Sequence, residues 1–251
     1  MISPISVTIL ALLFAIMTGD VSRSDTPAKS NINDSPASMY SFQKTGDRLC
    51  SDKLAGMMVQ SIFQNNILKL SEILHDRKLA IFRLNEFGYS PVHLAAIRPT
   101  ESIEMIELLC SNGYDINAVD YLGMTPLHHS VIRDKLREVE AMLSIGAMHQ
   151  FYNWRSLDTV MHIAIRNESV EMVRLLIAHG VDMENDGDVR RLDDRYQSPL
   201  DLAISLNNRE VLHVVALQLG KTASGQRELG HALRDDDVST TVKDILKQYQ
   251  E

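Results

Sequence analysis

The tetrapeptide Thr125-Pro126-Leu127-His128 recurs as Ser90-Pro91-Val92-His93 thirty-five residues earlier and as Thr159-Val160-Met161-His162 thirty-four residues later. A fourth version, Ser198-Pro199-Leu200-Asp201, closes the series. Self-similarity at a period near 33 residues means one supersecondary unit that cannot bury its apolar face alone and must stack on its copies. With the Ser or Thr as origin, Gly146 and Gly180 stand 21 residues on, Gly220 stands 22 and Gly113 stands 23. Two units therefore match and two carry small insertions.

Between origin and Gly each unit reads as two short amphipathic helices. The first runs through His93 to Ala96, His128 to Val131, His162 to Ile165 and Asp201 to Ile204. The second carries IEMIELLC, LREVEAML, VEMVRLLI and VLHVVALQL, with apolar residues recurring at three and four. Pro after the origin suits a first helical turn, where its missing N–H costs nothing. Each Gly stands where a helix ends on a residue at positive φ.

SPVHLAAI, GMTPLHHSV, TVMHIAI and YQSPLDLAI, with LLCSNGYDIN and LLIAHGVDM after the second helices, resemble the ankyrin-repeat family over Asn85 to Gly220. The departures are TVMH, which lacks the Pro, SPLD, which lacks the His, and Pro99 in the turn between helices. The resemblance implies an all-α solenoid of stacked helix-turn-helix units with finger loops. It also implies that His93, His128 and His162 tie neighbouring turns by hydrogen bonds; a full repeat apart, they do not converge on a metal.

Leu54 to His75 and Glu228 to Gln248 each hold two helical runs and read as degenerate end units, which must present a polar outer face. The domain is thus 51–251, with an N-terminal cap at 51–84, core repeats at 85–220 and a C-terminal cap at 221–251. Before it, the apolar run Val7 to Met17 is too short to span a bilayer and suits a secretory signal at 1–24. Residues 25–50, rich in Ser, Asn, Asp, Thr and Pro, read as a flexible tether. The expectation is an exported chain, periplasmic or secreted, with no membrane contact after signal removal.

A composition of 45% hydrophobic and 23% charged residues is that of a soluble globular protein. The net charge of −8 excludes broad phosphate-backbone binding, so no nucleic acid is expected. Two cysteines, Cys50 and Cys110, are too few for a disulfide-built fold, although an oxidising compartment would permit them to pair. Cys110 shares the slot of Leu143 and Ile177, where a thiol packs as a small hydrophobe. The connection from Asp182 to Asp193 partly parallels a calcium loop through Asp182, Glu184, Asp186, Asp188 and Asp193 around Gly187. Asp in place of the closing Glu, and Arg190 and Arg191 inside the loop, favour a solvated charged loop instead. No phosphate-cradling loop, nucleophile elbow or clustered His, Cys and Asp set stands elsewhere, so neither catalysis nor a cofactor is expected.

In the family the concave face is built from finger tips and first helices. Those positions here are Phe87 and Tyr89, Tyr121, Leu122 and Met124, and Trp154 and Arg155, with Arg98, Arg133 and Arg166 as a ladder seven or eight residues after each origin. Trp, Tyr and Arg dominate interface hot spots. The expected partner is a protein that presents carboxylates beside an apolar patch to a monomeric binder. Narrower versions are an immunity or inhibitor protein that neutralises a toxin or hydrolase outside the cytoplasm, and a secreted effector that binds a host protein. A calcium-stabilised structural module is the reading from another class.

Overall fold

A computed structural model describes residues 48–75, 88–181, 183 and 197–250 of the chain. The first helix of each core repeat starts where the sequence supplies a cap. Ser90, Thr125, Thr159 and Ser198 each hold extended backbone, and the third helical residue of each helix, His93, His128, His162 or Asp201, reaches back to the cap N–H. This reciprocal bonding satisfies two of the donors that a helix N-terminus leaves open.

Among the described residues there are twelve α-helices. The N-terminal cap is α1 (Arg48–Phe63) and α2 (Ile67–His75). The repeats are α3 (Pro91–Ile97) with α4 (Ile103–Ser111), α5 (Pro126–Ile132) with α6 (Leu136–Ser144), α7 (Val160–Arg166) with α8 (Val170–Ala178), and α9 (Pro199–Leu206) with α10 (Arg209–Leu219). The C-terminal cap is α11 (Ala223–Arg234) and α12 (Thr240–Leu246). Helix α1 begins inside the segment read as a tether. No described helix is long and apolar enough to cross a membrane.

First helices stack on first helices and second on second; the N-terminal cap continues both columns, whereas both helices of the C-terminal cap pack on α10. One apolar core runs the length of the stack, through Met58, Met105, Leu127, Met142, Met161, Met172, Val215 and Leu246. The unbranched thioethers fill the irregular gaps between units whose register differs by a residue or two.

Gly113, Gly146 and Gly180 end their second helices at φ 90°, 98° and 77°. Gly220 differs: it stays right-handed at φ −59°, because α10 turns into α11 with no finger between them. Glycine is needed there for space, since a Cβ would lie 2.8 Å from the Tyr249 carbonyl oxygen.

The turn inside each helix pair also has a rule. Asn65, Asp134, Glu168 and Asn207 hold it with φ of 54° to 56°, which lets the following amide bond back into the helix end, as Lys135 N–H does to Ser130 O at 3.1 Å. In the first repeat that position is Pro99, whose ring forbids positive φ. Arg98 before it is driven to φ −59°, ψ 152°. The departure of this one turn shapes the candidate surface.

Candidate protein-interaction surface

Each motif histidine fixes a finger. Ser90 N–H donates to His93 Nδ1 at 3.1 Å, so the ring carries its proton on Nε2 and donates it to Met124 O at 3.0 Å in the next finger. His128 and His162 repeat this toward Phe151 O at 3.1 Å and Gln197 O at 2.8 Å. Burial holds both below the usual histidine range, His128 at about 4. Asp201 caps its own helix, with Ser198 N–H donating to it at 3.3 Å, and it has no further finger to serve.

The second finger turns at Asp120, whose Oδ1 accepts from Leu122 N–H at 2.8 Å and Met124 N–H at 3.0 Å. The third finger is tied to it, Trp154 N–H donating to Leu122 O at 2.7 Å. The Trp154 indole lies against Gly123, where a Cβ would stand 2.5 Å from Nε1. Two fingers therefore brace one another and present their tips together. Tyr121 is 46% exposed, Leu122 44% and Trp154 37%.

The arginine ladder is not realised as the spacing predicts. Arg133 and Arg155 are exposed and make no ion pair among the described residues. Arg166 is exposed but pairs with Asp158 at 2.9 Å. Arg98 is buried, and the cause is Pro99: the extended backbone swings its side chain to Asn65 Oδ1 at 2.7 Å and Thr100 Oγ1 at 2.9 Å. Arg98 is thus a strut between cap and first repeat.

Two finger residues also move inward. Met124 is 8% exposed, and its carbonyl oxygen is held by His93 Nε2 and the Asp120 N–H. Tyr89 is half-buried, stacked on His93 at 5.6 Å and edge-on to His129 at 5.2 Å. Phe87 and the acidic set Asp182, Glu184, Asp186, Asp188 and Asp193 lie outside the described residues. Cys110 is a free, half-buried thiol, pushed up to about 11 by burial and then by Asp115; the Cys50 side chain lies outside the described residues. The surface gains Ile132, which is 45% exposed at the end of α5.

Sequence reasoning missed two buried polar groups. Lys135 occupies the cap position of α6, where α8 has Ser169 and α10 has Asn208, and cannot cap. Its Nζ instead crosses to Ala96 O at 2.7 Å and Thr100 O at 3.3 Å in the lengthened first-repeat turn. Glu138, wholly buried, accepts from Lys135 at 3.1 Å, Ser130 Oγ at 2.7 Å and Ser102 N–H at 2.9 Å. Pro99 was the available signal, because a longer turn strands carbonyls that some donor must meet. The second group is His93, Asp120 and His129, which lie within 4.8 Å of one another although the motif histidines are a repeat apart.

Stacked helix pairs with braced fingers, and no ladder of strands among the described residues, define a protein-interaction solenoid. The chain belongs to the ankyrin-repeat family, whose profile matches residues 58–153 and 146–223 in three copies. It is 25% identical over 186 residues to the probable 26S proteasome regulatory subunit p28 of Saccharomyces cerevisiae, covering 70% of this chain and 78% of that one. It is 33% identical over 115 residues to human ankyrin repeat and SOCS box protein 11, covering 45% of this chain and 32% of that protein. It is 26% identical over 110 residues to mouse NF-kappa-B inhibitor delta, covering 36% and 34%. The chain spans about a third of the length of the SOCS-box relatives. Members of this family generally bind proteins without catalysis.

Proposed function

We propose that this protein is a non-catalytic, exported binding module that captures a protein through the tips of its second and third fingers and the end of α5. The observation that carries the surface is the exposed group Tyr121, Leu122, Ile132 and Trp154 beside two guanidiniums, Arg133 and Arg155, that pair with no carboxylate among the described residues. Elsewhere the network of Arg98, Lys135 and Glu138 and the pair Arg166–Asp158 occupy their own charges. An uncommitted Arg beside aromatic area suits a partner that offers carboxylates around an apolar contact. Export is supported by the apolar run Val7 to Met17. The narrower reading is an inhibitor that occludes a basic effector. It is favoured by the net charge of −8, which steers such a partner, and by a mouse relative that is named an inhibitor.

A photo-crosslinking residue at Tyr121 tests the surface, with the same residue at Leu217 on α10 as control. The expected result is an adduct of one mass at Tyr121 only, lost when Arg133→Glu and Arg155→Glu are combined. Equal adducts at both positions, or an adduct that survives the double substitution, would sink the surface. The mass of the mature N-terminus tests export separately: cleavage near residues 19–24 supports it, and an intact Met1 in the cytosol removes it while leaving the binding surface standing.

A further inference from the structure

We propose that His93, Asp120 and His129 form a site for a borderline divalent metal ion of the zinc class, which staples the second finger to the first helices of repeats one and two. The three residues offer two imidazole nitrogens and one carboxylate oxygen, all within 4.8 Å of one another. They are 0%, 1% and 6% exposed. Zinc holds such ligands at about 2.0–2.1 Å, hence roughly 3.3 Å apart in a tetrahedron. The Asp120 Oδ2 to His129 Nε2 distance of 3.0 Å already fits; the ion takes the place of the proton between them, which moves to His129 Nδ1 or is released to solvent, and His93 must close by about 1.5 Å at most.

Two of these residues are more than the repeat requires. The slot of His129, four residues after the origin, holds Leu94, Ile163 and Leu202 in the other repeats, all buried and apolar. Placing an imidazole there gives up apolar burial unless it has a polar task. Asp120 makes its turn with Oδ1 alone. Asn153 serves the third finger in the same way, its Oδ1 accepting from Arg155 N–H at 2.8 Å. A carboxamide therefore suffices for the turn, and the second carboxylate oxygen of Asp120 is aimed at His129.

His93 is engaged, and binding must rearrange it. As the structure stands, its Nδ1 accepts from Ser90 N–H and its Nε2–H donates to Met124 O. Coordination through Nε2 moves that proton to Nδ1, which then donates to Ser90 Oγ, now 2.8 Å away. The Ser90 N–H bond is given up. The Met124 carbonyl, 3.0 Å from Nε2, loses that donor but keeps the Asp120 N–H at 2.9 Å, and its freed lone pair becomes available as a fourth oxygen ligand. The Tyr89 ring, packed on both imidazoles, keeps water from the ion.

The test uses the full chain, with zinc in calorimetry and cobalt(II) in visible absorption. The expected result is binding of one ion, a cobalt spectrum of four- or five-coordinate form, and a melting temperature raised by zinc. Asp120→Asn, which keeps the turn, and His129→Leu, which restores the residue type of the other repeats, should each weaken binding at least about 100-fold while far-UV circular dichroism stays unchanged. Absence of binding to the unsubstituted chain overturns the proposal. So does unweakened binding in both variants, which would place the ion elsewhere. Should either variant fail to fold, the other decides. Should both fail, perturbation of the His129 imidazole resonances by zinc in the unsubstituted chain supports the site, and their constancy overturns it.

Discussion

His162 is buried with its Nδ1 facing Thr159 N–H, so the neutral ring is the form the fold accepts. Burial lowers its proton affinity below that of an ordinary histidine. The unfolded chain then binds the proton more readily, so folding stability is complete above the ordinary histidine range and falls as the pH drops through it. Urea midpoints should be flat at neutral pH and decline below about 6.5, the ordinary histidine value; in His162→Leu the decline should be shallower, and an equal slope would show that this ring is not responsible. Gly123 makes a second point at this scale. Its φ of 78° and the indole above it leave no room for a side chain, so Gly123→Ala should cost about 1 kcal/mol or more in chemical denaturation. The same change should weaken partner capture, because it displaces Trp154.

At the scale of elements, one proline decides how the first repeat joins the second. Pro99 replaces the left-handed residue of the other turns, so Arg98 leaves the helix direction and the turn carbonyls need donors from outside. Lys135 and Glu138 of α6 meet that need from the next repeat. The pair is almost completely buried, at 7% and 0% exposure, and loss of one member leaves the other without compensation. Glu138→Ala should therefore destabilise the domain by about 3–5 kcal/mol, read as a shift of the denaturation midpoint. Replacing Lys135 and Glu138 together by Met and Leu should recover most of that loss, because apolar packing can substitute for a buried ion pair.

Across the whole molecule each unit is stabilised by its neighbours, so the ends matter more than their sequence resemblance suggests. Helices α11 and α12 bury Leu229, Val242, Ile245 and Leu246 against the array. The Tyr249 backbone carbonyl accepts from Gln226 Nε2 at 2.9 Å, and its hydroxyl meets His213 Nδ1 at 2.6 Å. A chain ending at Gly220 should melt at lower temperature and with a broader transition than the full chain; an unchanged transition would show that the cap is dispensable. Among the described residues, the two fingers and the first helices behind them bring exposed aromatic area beside uncommitted cations, which is why partner binding is proposed there and not at the outer groove between α8 and α10, lined by Ile177, Val214 and Leu217.

The period, the capping tetrapeptides and the helix-ending glycines were legible in the sequence because they act within a few residues: a Ser or Thr and a His three positions on cap one helix start reciprocally, wherever the His Nε2 then points. Those local rules determine a stacked helical array and the place of its fingers. What the tertiary structure decided was which side chains face outward. Spacing put Arg98, Arg133 and Arg166 in one row, yet a proline-bound turn buried the first and a neighbouring carboxylate engaged the third. Spacing likewise separated the motif histidines, while folding brought His93 of one repeat against Asp120 and His129 of the next. Repeat period is a property of one chain segment, whereas exposure and convergence depend on what the adjoining unit places opposite, and that is settled only when the units stack.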